Sequence, residues 1–167
     1  LSPDGKKIAY AKDNNLFVYD IASKTTTSIT TDGKKNSIIN GITDWVYEEE
    51  FAFVKAFDWS ADSKKIAFIR FDESEVPEFS MSIFQKELYP KVETFKYPKA
   101  GEKNAVVSLH IYDVASQTKK DVNLGNYSDF YIARMQWTND ANVLSAQVLN
   151  RHQDNLDLLF IDGTTRS

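Results

Sequence analysis

The chain has 167 residues, 42% of them apolar and 26% charged, enough for one globular domain with a core of its own. Its net charge of −4, with lysines scattered in pairs beside turn residues, leaves no basic stripe for phosphates and excludes an electrostatic nucleic-acid binder. It has no cysteine, which removes disulfides, thiolate catalysis and cysteine-ligated zinc, and no apolar run of about 18 residues that would make a membrane-spanning helix.

In chain order the first element is a turn and strand, Leu1-Ser2-Pro3-Asp4-Gly5-Lys6-Lys7-Ile8-Ala9-Tyr10. It returns as Trp59-Ser60-Ala61-Asp62-Ser63-Lys64-Lys65-Ile66-Ala67-Phe68, and in a more worn form from Trp137 to Ala146. Pro3, Asp4 and Gly5 suit a tight polar turn because they preset or tolerate its backbone angles. A second phrase follows each copy: Leu16 to Ser23, Leu109 to Ser116 and Leu156 to Gly163. Short alternating strands with turns at recurrent places, in a chain with 13% aromatic residues, predict an all-β fold of four-stranded antiparallel propeller blades.

The copies stand further apart than a plain repeat of about 40–50 residues, so each gap holds an insertion. Blade parts are expected at 1–30, 52–124 and 130–167, with one insertion at 31–51 and an extended arm at 72–105. About three incomplete blades are present, and the chain opens on Leu1-Ser2-Pro3 rather than methionine, so it reads as an excerpt of a longer protein.

The first insertion carries Asn40-Gly41-Ile42-Thr43-Asp44-Trp45-Val46-Tyr47-Glu48-Glu49-Glu50-Phe51. Thr43 or Asp44 is placed to cap a short helix, and acidic residues in its first turns favour its dipole. Three consecutive glutamates ordinarily mark a solvated helix face. Here the flanking Trp45, Val46, Tyr47, Phe51 and Phe53 predict a packed segment, in which adjacent carboxylates repel and call for a cation.

The run from Asn40 to Glu50 closely resembles the double-glutamate motif of the dipeptidyl peptidase IV family. The second insertion agrees, with Glu75-Val76-Pro77, Leu88-Tyr89-Pro90-Lys91 and Tyr97-Pro98-Lys99-Ala100-Gly101 in the same order as in that family. The resemblance covers nearly the whole chain and weakens after about Gly125. It implies an N-terminal eight-bladed propeller joined in the parent protein to a C-terminal α/β-hydrolase domain. Such serine peptidases remove dipeptides from free N-termini, preferring Pro or Ala in the second position.

In that family two glutamates on a short propeller helix hold the substrate's α-ammonium group. Aligned on Asp44 to Tyr47 they are Glu49 and Glu50; aligned from Trp59 they are Glu48 and Glu49. An ammonium offers three donors and a full charge, which carboxylates match. Fixing it at a set distance from a nucleophile makes the enzyme count residues from the N-terminus.

No catalytic residue is expected in this chain. No Gly-x-Ser-x-Gly elbow surrounds any of the six glycines, and His110 and His152 fall in a strand and a polar turn. No metal site or cofactor is expected either, since the carboxylates lack calcium-loop spacing and no glycine-rich loop precedes a helix. The arm, with Phe79, Met81, Phe84, Leu88 and Tyr89 among prolines, corresponds to the family's element that reaches a second subunit, so a homodimer through 72–101 is expected. A bacterial periplasmic or extracellular setting is expected from the absent cysteines and terse turns. Two rival functions stay open: a sibling exopeptidase with another residue preference, and a non-catalytic peptide-binding propeller.

Overall fold

The computed structural model describes residues 1–164. Strands β1 (Lys7–Lys12), β2 (Asn15–Asp20) and β3 (Thr25–Ser28) form an antiparallel meander. Asp13 and Asn14, between paired Lys12 and Asn15, both have positive φ (50° and 59°), the turn whose twist matches the strands it joins.

The second sheet is centred on β6 (Lys65–Asp72). Two short strands share one of its edges: β4 (Ile38–Asn40) pairs with Arg70 to Asp72, and β5 (Phe57–Trp59) pairs with Ile66 to Phe68. The stretch 31–51 is therefore not wholly outside the blade. Between β4 and β5 the chain leaves the sheet, forms helix α1 (Trp45–Glu50) and returns. After β6 it leaves again as a two-stranded hairpin, β7 (Glu78–Ile83) and β8 (Lys91–Lys96), within the expected arm. It re-enters as β9 (Val106–Asp113) along the other edge of β6, with β10 (Thr118–Asp121) outside it. The third sheet is β11 (Phe130–Trp137), β12 (Val143–Asn150) and β13 (Leu156–Asp162).

The repeated phrases are repeated hydrogen-bond patterns. Ser2 Oγ donates to Asp4 and accepts the N–H of Lys7; Ser60 Oγ donates to Asp62 and accepts the N–H of Lys65. In the worn copy Thr138 Oγ1 accepts from Asp140 N–H, and Asp140 accepts from Asn142 N–H. Ser63 stands where the first copy has Gly5, and both have left-handed φ, 63° and 73°. The second phrase closes on an aspartate too: Asp20 accepts the N–H of Ser23, Asp113 that of Ser116, and Asp162 that of Thr164.

The same turns join neighbouring sheets. Asp4 N–H donates to Ser63 Oγ at 3.0 Å, and Lys65 Nζ donates to the Ala141 carbonyl (3.1 Å) and Asn142 Oδ1 (2.9 Å). Lys65 is buried, and this pairing with two oxygens is what makes its charge tolerable there.

Strand β6 is apolar on both faces because both are covered. Ile66 and Phe68 pack with Leu16, Val18 and Tyr112 toward the first sheet. Ala67, Ile69 and Phe71 pack with Leu109, Ile132, Leu144 and Tyr47 toward the third. Along β13 Leu156, Leu158 and Phe160 alternate outward and stay 55%, 56% and 68% exposed.

Candidate functional site

Helix α1 stands on a closed stem. Gly41 N–H donates to the Ile69 carbonyl, and Ala56 N–H returns to the Gly41 carbonyl. Gly41 has φ +74°, and an added Cβ would lie 2.9 Å from Leu16 Cδ1, so only glycine fits at the start of the stem. Thr43 bonds the far side with its backbone N–H to Val54 and its hydroxyl to Phe53.

Asp44 is the N-cap: its backbone is extended and its carboxylate accepts the N–H of Tyr47 at 3.0 Å. Thr43, the other sequence candidate, closes the stem instead. Glu48 sits in the first turn, where negative charge favours the dipole. Phe51 N–H bonds the Tyr47 carbonyl and ends the helix.

Tyr47 fixes the helix to the core. It is 2% exposed, with Phe51, Phe53, Phe71 and Tyr131 within ring-contact distance, and its hydroxyl accepts the backbone N–H of Ile132 at 2.8 Å. The ladder between β11 and β12 shifts register between Ile132 and Arg134, so Tyr47 meets the strand at an irregularity. Burial pushes the Tyr47 phenol well above the usual tyrosine range. Trp45 tilts against Tyr97 with centroids 4.3 Å apart, joining the helix to the root of the arm.

Two acids are buried here, the N-cap Asp44 and Glu73, which feels the charge of Asp44. Burial pushes Asp44 up to about 6 against the pull of its backbone hydrogen bonds. Burial, and then the charge of Asp44, push Glu73 up to about 7.

The helix packs as expected from its apolar flanks, but Glu48, Glu49 and Glu50 all project to solvent. The burial is carried by Val46 and Tyr47, which turns the acidic side outward. Among the described residues none of the three glutamates has an ion pair or a side-chain hydrogen-bond partner. They are carboxylates on a rigid mount with their acceptor positions unused.

Beside them runs a groove of about 500 Å³, lined among others by Trp45, Glu50, Tyr97, Asn104, Arg151 and Gln153. Arg151 donates to the Glu102 carbonyl at 2.6 Å and lies 3.7 Å from Asp129. Trp45, Glu50 and Tyr97 lay in phrases already singled out, but no motif brings Asn104, Arg151 and Gln153 to them. The pin from Tyr47 to Ile132 likewise links residues too far apart for local pattern to reveal.

His110 lies mid-strand in β9, bonded through one ring nitrogen to Ser108 Oγ and through the other to Asp121, each at 2.8 Å. The bonding order is that of a hydrolytic triad. The ring, however, is 5% exposed and stacked on Phe68 between two sheets, which suits a structural tie rather than an attack on substrate. Burial holds His110 below the ordinary histidine value, and its hydrogen bond to Asp121 opposes this. His152 is exposed in the turn between β12 and β13. Among the described residues no three metal-ligating side chains gather into a site, and no helix is long and apolar enough to cross a membrane.

Comparison with known proteins gives one answer. The family model for the dipeptidyl peptidase IV (DPP IV) N-terminal region matches residues 1–167. A probable dipeptidyl-aminopeptidase B of Talaromyces stipitatus is 39% identical over 181 residues, covering 99% of this chain and 20% of that protein. Dipeptidyl aminopeptidase B of Saccharomyces cerevisiae is 36% identical over 173 residues, covering 99% and 21%. The crystal structure of Porphyromonas gingivalis dipeptidyl peptidase 4 superposes with a TM-score of 0.94 at 46% identity, over 98% of this chain and 23% of that one. The chain thus spans about a fifth of the length of these relatives. With its sheets stacked face to face as partial propeller blades, it belongs to the dipeptidyl peptidase IV family, within the N-terminal region.

Proposed function

We propose that this chain is the non-catalytic propeller portion of a serine-type dipeptidyl peptidase and that its glutamates hold the substrate's N-terminal ammonium. Glu49 and Glu50 are the principal pair, with Glu48 beside them. The observation that carries this reading is three unpartnered carboxylates on a helix that a cap, a closed stem and the Tyr47 hydroxyl hold rigid. An α-ammonium, with a reference pKa of about 7.7–8.0, is mostly charged at neutral pH and offers three donors to such acceptors.

Anchoring acts by orientation rather than proton transfer. The ammonium held at α1 sets how far the peptide extends toward a nucleophile in the hydrolase domain of the parent, so Xaa-Pro or Xaa-Ala dipeptides are released. The exposed hairpin β7–β8 is the arm through which two parents pair. Its connecting loop and strands present Phe84, Leu88, Tyr89 and Val92 at 81%, 90%, 78% and 69% exposure. A periplasmic or extracellular setting fits a protein that meets peptides with free N-termini.

The test uses the full-length parent and an Ala-Pro or Gly-Pro chromogenic substrate. Glu49→Gln and Glu50→Gln should each lower kcat/KM by at least about tenfold, the loss expected when a charge-assisted hydrogen bond of about 1.5–3 kcal/mol is removed. Unchanged activity in both variants with intact folding overturns the anchor.

A further inference from the structure

We propose that Ser108, His110 and Asp121 form a proton-sensitive latch between the first two sheets, closed while the imidazole is neutral and loosened once both ring nitrogens carry hydrogen. The His110 ring stacks on Phe68 with centroids 5.1 Å apart, and Phe68 packs with Leu16 and Val18 of the first sheet. The imidazole is therefore enclosed where the two sheets meet, and a charge placed there is poorly hydrated.

The hydrogen bonds decide where the second proton must go. The Asp121 carboxylate, exposed to water and ionised near neutral pH, accepts hydrogen bonds and has none to give. Nδ1, 2.8 Å from it, thus carries the hydrogen of the neutral ring. Nε2 is then the titrating nitrogen, and it accepts from Ser108 Oγ at 2.8 Å. A proton on Nε2 makes that nitrogen a donor, so the Ser108 hydroxyl has to turn its own hydrogen elsewhere.

The proton also arrives near a cation. In the β6–β9 ladder Phe68 stands opposite His110 and Arg70 opposite Ser108, so Arg70 shares this face of the sheet. Arg70 donates to Asp32 at 2.9 Å, and Asp32 also accepts from the Asn40 amide. The Asn40 amide donates in turn to the Asn14 carbonyl, in the turn between β1 and β2. This polar row crosses from the second sheet to the first, and a charged His110 pushes against the guanidinium within it. Burial, and then the charges of Lys119 on β10 and Arg70 on β6, hold the imidazole below the ordinary histidine value; Asp121 opposes them. The first sheet brings Leu16 and Val18 to this face, which carry no charge. With a folded value below the unfolded one, the contribution of His110 is complete above about pH 6.5 and is lost as pH falls below it. That sign is opposite to the one set by Asp44 and Glu73, whose values are raised.

The experiment follows two quantities in the full-length parent between about pH 5 and pH 8. Deuterium uptake at the imidazole carbon between the ring nitrogens, read by mass spectrometry on the peptide holding His110, gives its titration midpoint. The expected midpoint lies below about 6.5. Amide-exchange protection of residues 106–121, corrected for intrinsic exchange, reads the latch itself and should fall severalfold toward the acid end. His110→Gln keeps a donor and an acceptor but takes up no proton, so this acid-side loss should vanish. A midpoint at or above about 6.5 in the wild type overturns the latch, whether or not the variant folds. So does a wild type without acid-side loss, or a variant whose loss is equally large.

Discussion

The hydroxyl of Tyr47 accepts the backbone N–H of Ile132 at 2.8 Å, tying the helix that carries the glutamates to the first strand of the neighbouring sheet. Tyr47→Phe keeps the ring in its aromatic cage and leaves that N–H without its partner. The expected cost is about 1–3 kcal/mol, seen as a lower thermal midpoint of the full-length protein. Tyr47→Ala, which also empties the cage, should cost about 3–5 kcal/mol. A Phe variant as stable as wild type would show that the hydroxyl contributes only position.

The two buried acids Asp44 and Glu73 give stability a pH dependence with a definite sign. Asp44 and Glu73 have folded values near 6 and 7, above their ordinary 3.8 and 4.5. Between those limits the folded state binds more protons than the unfolded state, so their contribution weakens as pH rises from about 4 to about 7. Glu73→Gln should raise the midpoint near pH 8 and flatten the decline. An unaltered profile would mean that Glu73 titrates normally.

Ser63 tests the link between the first two sheets. It occupies a left-handed position, φ 63°, while its hydroxyl accepts Asp4 N–H. Ser63→Gly relieves backbone strain of about 1–2 kcal/mol but loses a hydrogen bond of about 0.5–1.5 kcal/mol, so urea midpoints should hardly change. Ser63→Ala loses the bond and keeps the strain, and should be the less stable of the two. Ser63→Ala as stable as wild type would remove the bond from the account, and equal stability for the two variants would remove the strain.

If the arm pairs two parents, charge at its tip should separate them without unfolding either. Leu88→Asp with Tyr89→Asp alters side chains that are 90% and 78% exposed. Sedimentation should report a shift from dimer to monomer at an unchanged thermal midpoint. A dimer that persists would place the subunit contact elsewhere.

The blade pattern was legible because its turns are local. Ser2 with Asp4, and Ser60 with Asp62, write their hydrogen bonds into adjacent positions, so the sequence repeats wherever the turn does. The helix was legible for the same reason, through Asp44 capping Tyr47. The exposure of the glutamates was not, since which side of a six-residue helix is covered depends on Phe71 and Tyr131, brought there by other strands. The split edge of β6 was hidden because β4 and β5 are each only three residues long and lie on either side of the helix. The groove was hidden as well, since Arg151 reaches it from a hairpin tip far along the chain.

The worn third turn also makes sense once its neighbour is considered. Where the first two copies place a lysine, Lys6 and Lys64, the third has Asn142, whose side-chain oxygen receives the ammonium of Lys65. Each turn is thus half of a handshake whose other half is encoded a blade away. For anyone cutting or recombining these proteins, the practical unit is a pair of adjacent blades. A graft that swaps one blade while ignoring its neighbour's turn would sever a clasp at every seam, even with each strand intact.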